Sequence, residues 1–393
     1  MRIFFAILLL TLSSTLSYSQ EEFTLNQGGT SQKNYFTEIE YEDIRWAPII
    51  NVTINGKTYR FLLDTGAGNT ITKKLFDELT PEVIKKIPIS DANNQADSLS
   101  IVNLKEITIG NLVFNNIPSA VPKDSLIFDC LKIDGFIGSN MLRNSIVQFS
   151  SKTRKIVITD QPEKLNLHQK QGTDMYLTQS QNLPLVTIAF FGKGSGTIPT
   201  LFDTGFADFF NLALFHFNAT QQAEVFNVQA KSRGRNSLGL YGFGTDTTQY
   251  RLQVPELHIN GTVFKNVNHN TTVGNDSIIG ARLLDYGIVT VDYKHKKFYF
   301  EPFETSFDLS NGWFPVTIIP KDDKIWIGMI WDEQLKDKIS LNDQVLAIDG
   351  VDYTNVSTCE IMVKPTIFNG ASQATLTLRN ANGATRKVTI YKK

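Results

Sequence analysis

Cysteine is scarce in this chain of 393 residues, where Cys130 and Cys359 are the only two. Two cysteines cannot build a disulfide framework. They also fall in different expected domains, so a bridge between them is not expected. The five histidines, His168, His216, His258, His269 and His295, have no zinc-ligand spacing, so neither a metal nor another cofactor is expected. No charge of one sign prevails: the net charge is −1, which offers nucleic acid no electrostatic hold. No apolar run approaches the ~20 residues that cross a bilayer. The longest, residues 3–12 behind Arg2, is followed by Ser17-Tyr18-Ser19. That pattern reads as an export signal over residues 1–19, with a mature chain from about Gln20 and no integral membrane segment. The expected location is the bacterial periplasm, the cell surface or the medium. The glycines around Lys193 are too few for a phosphate loop, and Ser195 among them is not in a nucleophile elbow.

The chain does contain many short runs of Val, Ile, Thr and aromatics between turn residues, and 41% of it is apolar. A mainly β protein with packed cores is expected. One tripeptide occurs twice, Asp64-Thr65-Gly66 and Asp203-Thr204-Gly205, 139 residues apart. Each closes a strand pair: 48–54 and 59–63 around Asn55-Gly56, then 184–188 and 197–202 around Gly192 to Gly196. Further on, Glu106-Ile107-Thr108-Ile109 matches Glu256-Leu257-His258-Ile259, and the Val113 to Ile117 block matches Val263 to Val267. Each half ends on two apolar residues and a glycine, Phe136-Ile137-Gly138 and Ile278-Ile279-Gly280, 142 residues apart at the glycines. A near-constant offset over four blocks indicates an internal duplication. One short helix is expected after each Asp-Thr-Gly, within 72–87 and 208–226. Leu75, Leu79, Val83 and Ile87 would be the core-facing stripe of the first.

Paired Asp-Thr-Gly turns, each followed by an apolar-apolar-Gly, resemble the pepsin-like and retropepsin-like aspartic proteases over residues 45–302. The resemblance implies a bilobal fold of duplicated β-barrels, with lobes at 45–162 and 163–303 behind an N-terminal segment at 20–44. It implies Asp64 and Asp203 as a catalytic dyad acting on extended polypeptides, and both halves in one chain imply a monomer. Two carboxylates about 3 Å apart cannot both ionise, so they share a proton and activate a water without metal or cofactor. Thr65 and Thr204 would bond across to the opposite loop, Gly66 and Gly205 would allow close approach, and Gly138 and Gly280 would support the loops. Ala67 follows the first motif, as in retropepsin-like enzymes, whereas Phe206 after the second is unusual for the family. A flap aromatic is expected at Tyr241 within Gly239 to Gly244, because the stretch 90–103 of the first half has neither glycine nor aromatic.

Beyond residue 302 nothing repeats. The segment Ile339 to Gly350 in the region 311–393 resembles the bacterial PDZ signature, implying a small β-rich domain with strands near 325–331, 374–379 and 386–391. PDZ domains capture peptide ends by adding a strand to their sheet. The function expected is therefore an exported aspartic endopeptidase. The second reading is a peptide-binding protein that has kept the protease fold without turnover, with the PDZ-like domain as an interaction module.

Overall fold

A computed structural model of the chain describes residues 24–123, 126–364, 367–368 and 372–393. The expected export segment at 1–19 lies outside the described residues. The protein is mainly β, and its long-range order follows the duplication. In the first half, Ala47–Ile54 and Lys57–Asp64 form a hairpin, turned at Asn55 and Gly56 with φ of 51° and 77°. Two consecutive positive φ values suit Asn-Gly, and the resulting turn matches the twist of the strands it joins. The second strand then lies parallel to Gly135–Gly138, with Asp64 opposite Gly138. In the second half, Pro184–Phe191 pairs with Ser195–Asp203, which lies parallel to Ser277–Gly280 with Asp203 opposite Gly280. The hairpins Ala96–Ile109/Leu112–Val121 and Thr247–Ile259/Thr262–Thr272 also correspond, with Ile107 opposite Phe114 and Leu257 opposite Phe264.

A six-stranded antiparallel platform joins the halves, in the order Phe36–Glu40, Lys155–Thr159, Ile146–Ser150, Gly287–Asp292, Lys297–Pro302, Thr173–Leu177. At its centre Gln148 faces Thr290, its own counterpart 142 residues on, and the Gln148 Nε2 donates to Thr290 Oγ1 at 3.0 Å. A pseudo-twofold axis therefore passes through this pair. Large side chains from both halves, among them Phe61, Phe149, Phe202 and Phe298, fill one continuous core.

The helix expected within 72–87 is shorter than its apolar spacing suggests. It spans Lys73–Leu79, with Thr72 Oγ1 capping Leu75 N at 3.1 Å and Thr80 leaving in the left-handed conformation at φ 45°. Pro81 follows, and Val83–Ser90 continues as a strand paired with Ala96–Ile109. Val83 is 46% exposed, so the stripe does not extend to it. The helix stops at Pro81 because proline disfavours the α conformation in the residue before it. In the second half the helical part is Leu214–Thr220 with a 3₁₀ turn at Gln221–Ala223, after a short strand Phe210–Ala213.

The C-terminal region forms its own sheet, ordered Val316–Lys321, Lys324–Ile330, Gln344–Ile348, Gln373–Arg379, Thr385–Tyr391, around a separate core that includes Ile325, Val345, Leu376 and Ile390. It is attached to both halves. Ser232 Oγ donates to Ile330 O at 2.7 Å, and the Arg251 guanidinium lies 4.5 and 4.7 Å from the rings of Trp313 and Trp331. Against expectation, Cys130 and Cys359 are bonded, across 229 residues of sequence. The reason is docking: helix Leu126–Leu131 packs on helix Thr358–Val363, a proximity that no local pattern encodes. Among the described residues, no helix is long and apolar enough to cross a membrane.

A bridge that closes so long a loop removes much freedom from the unfolded chain. We expect Cys130→Ser or Cys359→Ser to lower stability by about 2–5 kcal/mol. Denaturant unfolding with and without reductant checks this, and the variants should match the reduced wild type.

Candidate active site

The two Asp-Thr-Gly turns face each other on the pseudo-twofold axis. Thr65 N donates to Thr204 Oγ1 and Thr204 N to Thr65 Oγ1, both at 3.0 Å. Each hydroxyl passes its own proton across the axis, Thr65 to Phe202 O at 2.7 Å and Thr204 to Leu63 O at 2.6 Å. Both threonines are fully buried, so these exchanged bonds are shielded from water. The glycines fit because the opposite aspartate occupies the place of their side chain. A Cβ on Gly66 would lie 2.2 Å from Asp203 Cγ, and one on Gly205 2.5 Å from Asp64 Oδ2. Gly138 and Gly280 are constrained likewise: a Cβ would lie 2.3 Å from Asn69 N in the first case and 2.1 Å from Asp208 O in the second.

Within each turn the glycine N–H donates to its own aspartate, Gly66 N to Asp64 Oδ1 at 2.9 Å and Gly205 N to Asp203 Oδ1 at 2.8 Å. The two carboxyls lie close enough to act on each other. Burial, and then the charge of Asp203, pushes Asp64 well above its ordinary value of 3.8. Burial also raises Asp203, while the Gly205 N–H stabilises its ionised form. Both carboxyls are thus raised, and the pair holds one proton between them. The Phe206 ring lies against Gly280, where a Cβ would come within 2.6 Å of its Cδ1.

Two hairpins meet beside these turns. Strands Val83–Ser90 and Ala96–Ile109 make a long first-half hairpin although 90–103 has no glycine or aromatic. Its tip is shaped by Asp91, whose Oδ1 accepts from Asn93 N at 2.9 Å and Gln95 N at 3.0 Å, so an Asp side chain does the work expected of glycine. From the second half comes the small hairpin Leu238–Gly239/Gly242–Phe243. Tyr241 does not stand free at its tip. Its N–H donates to Asp91 Oδ2 and its hydroxyl to Ile89 O, each at 3.0 Å. Its ring packs with Leu25, Leu99 and Ile101, and burial pushes the phenol up to about 12. Asn93 Nδ2 donates to Gly242 O and Gln95 Nε2 to Phe243 O, both at 3.1 Å. Leu240 enters a first-half apolar cluster containing Leu62, Ala67 and Phe136.

Asp91, Asn93 and the N-terminal Leu25 were not legible as site residues, since no motif marks them. Among the described residues no group of three or more His, Cys, Asp or Glu side chains is placed to hold a metal ion. The chemistry available is that of two adjoining carboxyls, Asp64 buried and Asp203 half-buried.

A family model described as aspartyl protease matches residues 50–141, the part of the chain that carries Asp64 and Gly138. No curated protein matches. Among solved structures, the aspartic proteinase from Irpex lacteus is similar over 69% of this chain and 98% of its own, at 13% identity and a TM-score of 0.43.

Two outcomes follow from this geometry. Thr204→Val leaves Thr65 N and Leu63 O without partners and should lower the unfolding free energy by about 2–4 kcal/mol in urea titration, with Thr204→Ser losing less. Asp64→Asn should raise the melting temperature at pH 7 more than at pH 3. Below 3.8 the aspartate is protonated both folded and unfolded and costs nothing; as pH rises toward its raised folded pKa, stability is lost, and the amide escapes that loss.

Proposed function

We propose that this protein is an exported aspartic endopeptidase in which Asp64 and Asp203 form the catalytic dyad. The observation that carries the reading is the confrontation of two carboxyls, both with raised pKa, across the exchanged threonine bonds. An extended polypeptide would lie between the halves beneath the two hairpins. Asp203 takes a proton from water while the water oxygen attacks the peptide carbonyl, and Asp64 gives its proton to the carbonyl oxygen. The tetrahedral intermediate then breaks its C–N bond as Asp203 gives its proton to the leaving nitrogen. Asp64 takes a proton from a hydroxyl of the diol, which becomes the new carboxyl group, so the pair again holds one proton on Asp64. The turns, locked by the exchanged threonine bonds, stabilise developing charge without reorganisation.

The Cys130–Cys359 bridge supports export, since disulfides persist in oxidising compartments. Both carboxyls come from one chain, which supports a monomer. We assign the C-terminal domain a PDZ-like fold, with the edge strand Val316–Lys321 beside helix Thr358–Val363, and a role as a brace between the halves. The clasp on Tyr241 favours a second state of the same enzyme, covered until the hairpins part.

Purified mature protein incubated with an unfolded polypeptide from pH 3 to pH 8 should give cuts detectable by mass spectrometry. Asp64→Asn and Asp203→Asn should each lose about 10²–10⁴-fold in rate or more. Cuts that persist in both variants would remove the dyad from the mechanism.

A further inference from the structure

The duplication that builds the dyad is broken beside one of its turns. Ser139 and Ala281 are equivalent: each follows the glycine of its apolar-apolar-Gly block, and each donates its N–H three residues past the aspartate. Ser139 N bonds Ala67 O at 3.0 Å and Ala281 N bonds Phe206 O at 2.8 Å. Only Ser139 carries a hydroxyl. Its Oγ donates to Thr65 O at 2.7 Å, the carbonyl of the peptide whose N–H, on Gly66, donates to Asp64 Oδ1. Ser139 Oγ is also 2.7 Å from the Tyr293 hydroxyl. Because the single serine proton is committed to Thr65 O, Tyr293 must be the donor in that contact.

A one-way chain results, from Tyr293 Oη–H to Ser139 Oγ–H to the Thr65–Gly66 peptide to Asp64. Ser139 and Tyr293 are both buried, and burial raises the Tyr293 phenol so that it stays a donor at any working pH. Tyr293 belongs to the second half and reaches the first-half turn from the end of strand Gly287–Asp292. Its counterpart at the end of Ile146–Ser150 is Ser151, 142 residues earlier, which instead donates to Leu284 O. Serial hydrogen bonds in a low-dielectric interior polarise one another, so a donor at one end strengthens the donor at the other.

We propose that Tyr293 and Ser139 are positioning residues that orient and polarise the Gly66 N–H toward Asp64, making the two carboxyls of a duplicated site inequivalent. The inference rests on the dyad reading above. The titratable groups acting on the pair are the two aspartates themselves, Tyr293, and Asp276 ahead of strand Ser277–Gly280, whose charge acts on Asp203. The relay favours the ionised form of Asp64, so its loss makes the shared proton harder to remove. The upper macroscopic pKa of the pair should then rise while the lower one moves less.

The test is carboxyl ¹³C NMR of the full mature chain labelled at aspartate, titrated beside the pH profile of peptide cleavage. Signals of the pair are identified by their loss in Asp64→Asn and Asp203→Asn. Tyr293→Phe should raise the upper titration by on the order of 0.5 pH unit and extend the alkaline limb of kcat equally, with KM little changed. Ser139→Ala should do at least as much. The double variant should match Ser139→Ala, because Tyr293 acts only through Ser139. Lower stability with unmoved titrations in both single variants would reduce the pair to packing and overturn the proposal. Shifted titrations in a chain that cleaves nothing would uphold the relay and overturn the protease reading.

Discussion

Two carboxyl groups pressed together, one buried and one half-buried, are an unfavourable thing to build, and the rest of the molecule answers that difficulty. Left to themselves the turns would separate or hydrate, because like charges and burial both oppose ionisation. The exchanged threonine bonds prevent separation: neither turn completes its backbone hydrogen bonds without the other, and both threonines are fully buried. The glycines remove the side chains that would stand between the carboxyls, and Gly138 and Gly280 let a strand lie directly behind each turn. The six-stranded platform fixes the axis about which all of this is arranged.

Symmetry brings the aspartates together, and departures from symmetry make them different. Asp203 receives the Gly205 N–H, whereas Asp64 has the Gly66 donor backed by Ser139 and Tyr293. The second half supplies Tyr293 to the turn of the first, so neither half is self-sufficient.

The C-terminal domain and the hairpins add a further level of organisation. The domain is bonded to the first half through Cys130–Cys359 and to the second through Ser232 and Arg235, just ahead of the hairpin that carries Tyr241. Asp91 then ties that hairpin to the tip of its first-half partner. The three parts are thus tied together beside the two Asp-Thr-Gly turns.

Much of this was legible in residue order. Repeated Asp-Thr-Gly, the Asn-Gly turn and the apolar-apolar-Gly blocks set the duplicated β architecture and placed Asp64, Asp203 and their threonines together, because strand alternation and turn chemistry are local and leave a pattern. The helix after the first motif was over-read, since apolar spacing at 75, 79, 83 and 87 suits both a helix and a strand edge until Pro81 decides. The first-half hairpin was missed because Asp91 shapes its tip in place of the expected glycine. The disulfide, the Asp91 clasp and the reach of Tyr293 to Ser139 were decided by tertiary structure alone. Each joins residues between 150 and 229 positions apart, and at such separations proximity depends on how whole domains dock, which no short-range pattern records.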